Sequence, residues 1–278
     1  MTKQLLTITS LVADAPGSRW RREPFRILHD VSLAIEPGQT LGLVGESGSG
    51  KTTVGKVILG LFPAHSGQVT LHGMGANPSR VQRAAHIQAI FQDPYSSLNP
   101  SMTVGDSLIE PLRQARWSSS DARRRTQELL DRVAMPKDTF KRYPHEFSGG
   151  QRQRIAIARA LALAPRLIIC DEPVSALDLT TQSRVLDLLI ELQRETGVAY
   201  LFISHDLAVI RRISHRVAVM RRGRIIEEGP ADEVTDRPRQ EYTRQLLSAS
   251  PIPDPGLQAQ RRAQRLAHIS KTMTTTQS

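Results

Sequence analysis

Gly45-Glu46-Ser47-Gly48-Ser49-Gly50-Lys51-Thr52 is the stretch on which the reading of this chain turns. It matches the pattern G-x-x-x-x-G-K-[ST]. In that pattern glycines let backbone N–H groups crowd around phosphates, the lysine reaches the terminal ones, and the hydroxyl can ligate Mg²⁺. The apolar run Thr40-Leu41-Gly42-Leu43-Val44 precedes it and Val54-Gly55-Lys56-Val57-Ile58-Leu59 follows it. The order predicts strand, loop and helix, with the phosphates at the helix N-terminus.

Three more short apolar runs end in polar residues suited to chemistry: Ile87 to Phe91 before Gln92, Leu167 to Cys170 before Asp171-Glu172, and Ala199 to Ile203 before Ser204-His205. Continuous apolar runs suit strands buried on both faces, and ligands gather beyond the carboxyl ends of parallel strands. Loop, glutamine, two acids and histidine are therefore expected around one crevice. Phosphoryl transfer to water needs positioning, charge neutralisation and an oriented nucleophile. Asp171 is the expected Mg²⁺-side carboxylate and Glu172 the group that polarises the water. The Gln92 amide offers both acceptor and donors to metal and water, and His205 can donate to the terminal phosphate.

Between Asp93 and Pro165 the pattern becomes helical. Over 120–134, Ala122, Thr126, Leu129, Leu130 and Val133 recur at three- and four-residue spacing with arginines opposite. Phe147-Ser148-Gly149-Gly150-Gln151 then fits the capping box S-x-x-Q ahead of a helix with an apolar face at Ile155, Ala158, Leu161 and Ala162. Its glycines leave bare N–H groups, which makes a second anion site. Asp178 reads as a further helix cap. Val217 to Met220, the turn Arg221 to Arg224, and Ile225 to Gly229 suggest a β-hairpin. From Pro251 onward Pro, Gln, Thr and Ser dominate, so 251–278 is expected to be a basic, flexible tail.

The chain has 278 residues, 39% of them hydrophobic, ordinary for a packed core. No apolar stretch approaches the ~20 residues of a membrane crossing. The amino terminus lacks an export-type apolar region, so a cytosolic chain is expected. Cys170 is the single cysteine, which rules out an internal disulfide and predicts a buried packing role. The net charge of +10 is spread along the chain and aromatic residues make up only 4%, so no base-stacking platform is visible. The arginine clusters read as solvated faces near anionic lipid headgroups rather than a nucleic-acid surface.

Taken together, these residues resemble the ATP-binding cassette ATPases. Gly45 to Thr52 is similar to that family's Walker A motif, Gln92 to its Q-loop, Phe147 to Gln151 to its signature, Leu167 to Glu172 to Walker B, Ser175 to Asp178 to the D-loop and His205 to the switch histidine. The resemblance covers about residues 5–250. It implies a P-loop α/β fold with a mainly parallel RecA-like core (5–92 and 165–235), an antiparallel β subdomain and an inserted helical subdomain (93–164). It implies ATP and Mg²⁺ as ligands. Nucleotide contacts would come from Gly45, Glu46, Ser47, Gly48, Ser49, Gly50, Lys51, Thr52 and Thr53, and metal contacts from Thr52, Gln92 and Asp171. Catalysis would fall to Glu172, His205 and Gln92. In the family two such domains stack head to tail, so Ser148, Gly149, Gly150 and Gln151 would serve the partner's nucleotide.

Phe91 to Pro100 and Glu228 to Leu247 look like the peptide and nickel importer branch. That implies two membrane permeases, a second ATPase subunit (a heterodimer, or a homodimer), an extracytoplasmic solute-binding protein, and a peripheral place on the cytoplasmic face of the inner membrane. Two features depart from the branch. A carboxyl-terminal iron–sulfur cysteine cluster is excluded by the single Cys170. Where members stack adenine on an aromatic, the chain reads Val12-Ala13-Asp14, leaving Trp20 and Phe25 as substitutes. The competing reading is a soluble cassette ATPase acting on ribosomes or nucleic acid. Such proteins usually join two cassettes or insert a coiled coil, and 278 residues without heptads fit neither. A GTPase would want an Asn-Lys-x-Asp guanine reader, whereas Asn77 and Asn99 are both followed by proline.

Overall fold

The structure, a computed structural model, describes residues 4–15, 25–75, 78–93 and 98–249. Trp20, Pro94 to Ser97 and the tail expected over 251–278 lie outside the described residues. Two sheets organise the chain. β1 (Leu6–Ala15) pairs antiparallel with β2 (Phe25–Ile35) on one side and β4 (Ser66–Leu71) on the other. The larger sheet holds β3 (Thr40–Val44), β5 (Ile87–Ile90), β6 (Leu167–Asp171), β7 (Ala199–Ser204), β8 (Arg216–Arg221) and β9 (Arg224–Pro230) in the order β5-β6-β7-β3-β8-β9. All its pairings are parallel except β8–β9.

The apolar runs form strands because both faces of this sheet are covered. Tyr200, Phe202, Ile168, Cys170, Val217 and Val219 point into one core with the helices. Their neighbours Leu201, Ile203, Leu167, Ile169, Ala218 and Met220 point into a second core shared with the antiparallel sheet. A period of two that is apolar in both phases is the signature of a strand with no solvated face. Cys170 is fully buried and burial raises its thiol pKa, so it stays protonated packing material.

The helices are α1 (Lys51–Leu59), α2 (Arg80–His86), α3 (Val104–Gln114), α4 (Ser119–Arg132), α5 (Gly149–Ala160), α6 (Leu179–Thr196), α7 (Leu207–Ile213), α8 (Ala231–Asp236) and α9 (Glu241–Ala249), with 3₁₀ turns over Lys137–Lys141 and Pro144–Glu146. Between β5 and β6 the described residues form helices and no strand. α4 buries the expected face, Ala122, Thr126, Leu129 and Leu130, but stops at Arg132. Ala134 takes a left-handed φ of 53° and its N–H turns back to the Asp131 carbonyl, which ends the helix short of residue 134. α2 was not foreseen; Ser79 and Gln82 close a capping box at its start. The β8–β9 hairpin is tight, with Arg222 and Gly223 at φ 46° and 76°, as a two-residue primed turn requires.

Acidic partners tie down several of the arginines: Arg211 meets Asp236 at 2.8 Å, Arg212 meets Asp187 at 2.7 Å and Arg216 meets Glu228 at 2.9 Å. These are exposed pairs that contribute little stability each. They do make those faces mixed in charge rather than a continuous basic stripe. Among the described residues no helix is long and apolar enough to cross a membrane.

Candidate functional site

β3 ends at Val44 beside Ser204 of β7 and Val219 of β8, and β7 in turn carries Asp171 of β6 opposite Ile203. This register brings three strand ends level, so the loop after β3 and the residues after β6 and β7 share one rim. Gly45 must be glycine because a Cβ there would lie 2.1 Å from the Met220 carbonyl oxygen. The loop closes through Ser49 N–H to the Glu46 carbonyl and is stitched to the β8–β9 turn by Gly223 N–H donating to the Ser49 carbonyl at 2.8 Å. Gly48 and Gly50 have φ of 79° and 108°, values a side chain resists.

Lys51 opens α1 and lies 5% exposed, its Nζ donating to the carbonyls of Gly45 at 2.8 Å and Glu46 at 2.9 Å. Burial lowers its pKa, against the opposing pull of Glu172, Asp171 and Glu46. The Thr52 hydroxyl donates to Asp171 Oδ1 at 3.1 Å, joining α1 to the end of β6. Burial pushes the Asp171 carboxyl above its usual range, the Thr52 hydrogen bond opposes the shift and Glu172 adds to it.

Glu172 has φ 50°, a left-handed backbone rare for glutamate, and is held there by its N–H donating to the Ile203 carbonyl at 2.9 Å. That turn aims its carboxylate at His205, with Oε1 3.1 Å from Nδ1. Strain of this kind concentrates at functional positions. Gln92 follows β5, whose Ile90 pairs with Cys170, so it continues past the strand end on the same rim as Asp171 and Glu172.

Ser148 caps α5 as expected. Its Oγ accepts the Gln151 N–H, and Gln151 Oε1 accepts the Ser148 N–H at 3.0 Å. The buried Arg152 anchors the preceding turn by donating to the carbonyls of Pro144 at 2.7 Å and His145 at 3.1 Å. Among the described residues no hydrogen bond joins Ser148 to Gln151 with Gly45 to Thr53. Instead Gly149 and Gly150 face Leu177 and Thr181, next to Asp178, which caps α6 by accepting the Thr181 N–H at 3.0 Å. The structure thus gathers Lys51, Thr52, Asp171, Glu172 and His205, and among the described residues it bonds the Ser148–Gln151 turn to none of them.

Sequence reading missed Tyr242, whose hydroxyl accepts the Glu46 N–H of the glycine loop at 3.2 Å. No local pattern signals a contact between α9 and a loop near the start. Of the two aromatics considered for adenine, Phe25 is 61% exposed at the start of β2 opposite Ala15. Asp14 nearby is bound to Arg26 at 3.0 Å and His65 at 2.9 Å.

The class follows from this layout: a P-loop ATPase fold of the cassette type, in which helices between the Gln92 strand and the Asp171 strand carry the Ser148–Gln151 capping box. The chain belongs to the ABC transporter family, whose family model matches residues 28–175. Over 237 residues it is 52% identical to the glutathione import ATP-binding protein GsiA of Escherichia coli (strain K12), covering 84% of this chain and 38% of that protein. The chain therefore spans well under half the length of this relative. Among solved structures it is similar to cbiO1 from Clostridium perfringens, part of the ABC transporter complex cbiONQ, with TM-score 0.74 and 26% identity over 84% of this chain and 91% of the other. It is also similar to the ATP-binding cassette MJ0796, in a dimeric post-hydrolysis state bound to ADP and Pi, with TM-score 0.72 and 28% identity over 81% and 98%. The fold expected from the sequence is the fold of these proteins.

Proposed function

We propose that this chain binds and hydrolyses ATP as the motor subunit of an importer for di- or oligopeptides. The observation that carries the reading is the pair of couples on one rim: Thr52 with Asp171, and Glu172 with His205, beside a buried lysine at a glycine loop. The site suits a triphosphate. Ser49 Oγ is buried with no hydrogen-bond partner at the loop, and a Cβ on Gly48 would meet nothing, so polar capacity and space are both present. Lys51 would exchange its two carbonyl partners for terminal phosphate oxygens, a charge-assisted contact that offsets its burial. Glu172 would take the proton of the attacking water, and His205 would hold that carboxylate and donate to the departing phosphate.

Thr52, Asp171 and Gln92 are the oxygen donors that would hold Mg²⁺, which when bound neutralises charge on the phosphate oxygens. Among the described residues no group of three or more His, Cys, Asp or Glu could hold a metal unaided. That fits an ion held by one carboxylate together with the nucleotide's own oxygens.

Since the second anion site does not reach the loop, Ser148 to Gln151 would act on nucleotide held by a second ATPase subunit, in a heterodimer or homodimer. The dimeric state named for MJ0796 supports this. A groove of about 360 Å³ beside Gln92, lined by Leu59, Leu61, Arg83, Phe91, Pro111 and Ala160, would receive a helix of a permease. Two permeases and a solute-binding protein would complete the system, placing the chain on the cytoplasmic face of the inner membrane. In domain terms we assign 5–250 to the ATPase, with 93–164 as its helical insert. The relative named for glutathione import favours a peptide over nickel as cargo. The test is uptake of labelled tripeptide and of nickel by cells carrying wild-type or Glu172→Gln protein. Loss of peptide uptake alone is expected; peptide uptake unchanged by the variant overturns the assignment.

A further inference from the structure

We propose that Tyr242 is a positioning residue for the phosphate loop, so that helix α9 helps set the affinity for nucleotide. The inference rests on the reading above that Gly45 to Thr52 binds a nucleoside triphosphate. Glu46 is the hinge of the contact. Its carbonyl accepts both Lys51 Nζ at 2.9 Å and the Ser49 N–H at 3.2 Å, and its N–H is held by the Tyr242 hydroxyl at 3.2 Å. The Gly45–Glu46 peptide plane thus carries the lysine on its carbonyl, at 2.8 Å, and helix α9 on its N–H.

The hydroxyl is itself held firmly. Tyr242 is 6% exposed and the Arg221 guanidinium lies 4.6 Å from its ring centroid, a cation–π contact from the end of β8. Glu227 of β9 fastens the start of α9 to the sheet, its carboxylate accepting the N–H groups of Arg239 at 2.7 Å and Gln240 at 3.1 Å and the Thr243 hydroxyl. The adjoining β8–β9 turn reaches the same loop through Gly223 and Ser49. The loop's entering arm is therefore gripped from α9 and its far side from the hairpin. A loop already shaped for its ligand loses less conformational freedom on binding.

Tyr242→Phe removes the hydroxyl and keeps the ring under Arg221. In the full chain we expect the affinity for ADP and for a non-hydrolysable ATP analogue to fall about threefold to tenfold, the range one hydrogen bond supplies. KM for ATP should rise by a like factor with kcat near wild type, and the thermal midpoint without nucleotide should fall by only a few degrees, the share of one hydrogen bond. Hydrogen exchange of the Glu46 amide should speed up while β3 and α1 keep their protection, a readout that stands even if the variant binds poorly for other reasons. Wild-type affinity together with an unaltered Glu46 exchange rate overturns the assignment of Tyr242 and leaves the ATPase reading intact. Absence of nucleotide binding by the wild-type chain overturns both.

Discussion

Glu172 and His205 meet at 3.1 Å, Oε1 to Nδ1, although one follows β6 and the other β7. The contact exists because Asp171 pairs with Ile203 and Glu172 then turns through a left-handed φ while still bonded to the Ile203 carbonyl. The imidazole thus fixes the carboxylate proposed as general base at the end of its strand.

Glu172→Gln keeps the shape and the capacity to accept from His205 but removes the basic oxygen. Turnover should drop by about 10²- to 10⁴-fold, the usual contribution of a positioned base, while ATP affinity stays at the wild-type level. Steady-state phosphate release and a labelled-nucleotide titration check the two halves. Hydrolysis at the wild-type rate would show that Glu172 is not the base.

Asp171 supplies a prediction about pH. Burial holds its folded pKa above the unfolded value of 3.8. The unfolded chain therefore ionises Asp171 more readily, and its stabilising influence, complete below 3.8, is lost as the pH rises through the folded value. Asp171→Asn should raise the thermal midpoint of the nucleotide-free protein at neutral pH, by roughly 2–4 °C for each kcal/mol recovered in a chain of this size. The gain should shrink as the pH falls towards 3.8, and with Mg²⁺ and ATP present the order should reverse, because only the wild type holds the ion well. Calorimetry across that range decides it; a variant less stable at neutral pH would show that Asp171 serves the fold.

Much of this site was visible in the sequence, for physical reasons. Leu167 to Cys170 and Ala199 to Ile203 show their strands because burial on both faces removes polar residues, and Ser148 with Gln151 shows a helix start because a capping box is a local device. What stayed hidden depends on register between distant segments. The end of α4 is set by the left-handed Ala134, a residue with no turn chemistry of its own. The hold of Tyr242 on Glu46 depends on how Glu227 seats α9, and no spacing rule encodes that. Arg83 and α2 escaped notice because a short helix with no buried residue leaves no apolar stripe to read.

Lys51→Met tests the cost of the buried ammonium. Its aliphatic part stays in place, and the desolvation that lowers the lysine's pKa disappears. The nucleotide-free protein should melt no lower than wild type, whereas binding of ATP should weaken by at least about tenfold, the loss of a charge-assisted contact of 1.5–3 kcal/mol. A titration with labelled nucleotide gives the second number. Unchanged affinity would remove Lys51 from the binding site.

Gly150 separates packing from chemistry at the second anion site. A Cβ there would lie 2.3 Å from Thr181 Cγ2, so Gly150→Ala must displace the Thr181 side chain at the α5–α6 contact, a crowding expected to cost about 1–3 kcal/mol. Thr181→Ala removes the obstructing methyl and should return the double variant to near wild-type stability in denaturant melts. Turnover should not return with it. In the proposed dimer the added methyl also stays beside the N–H groups offered to nucleotide on a second subunit, and removing Thr181 does not take it away. Nucleotide affinity of the isolated chain should be normal in all three proteins, because among the described residues no hydrogen bond joins Ser148 to Gln151 with the chain's own loop. If the double variant regains full ATPase activity, Gly150 is there only to let two helices approach, and the contact across subunits must be assigned elsewhere.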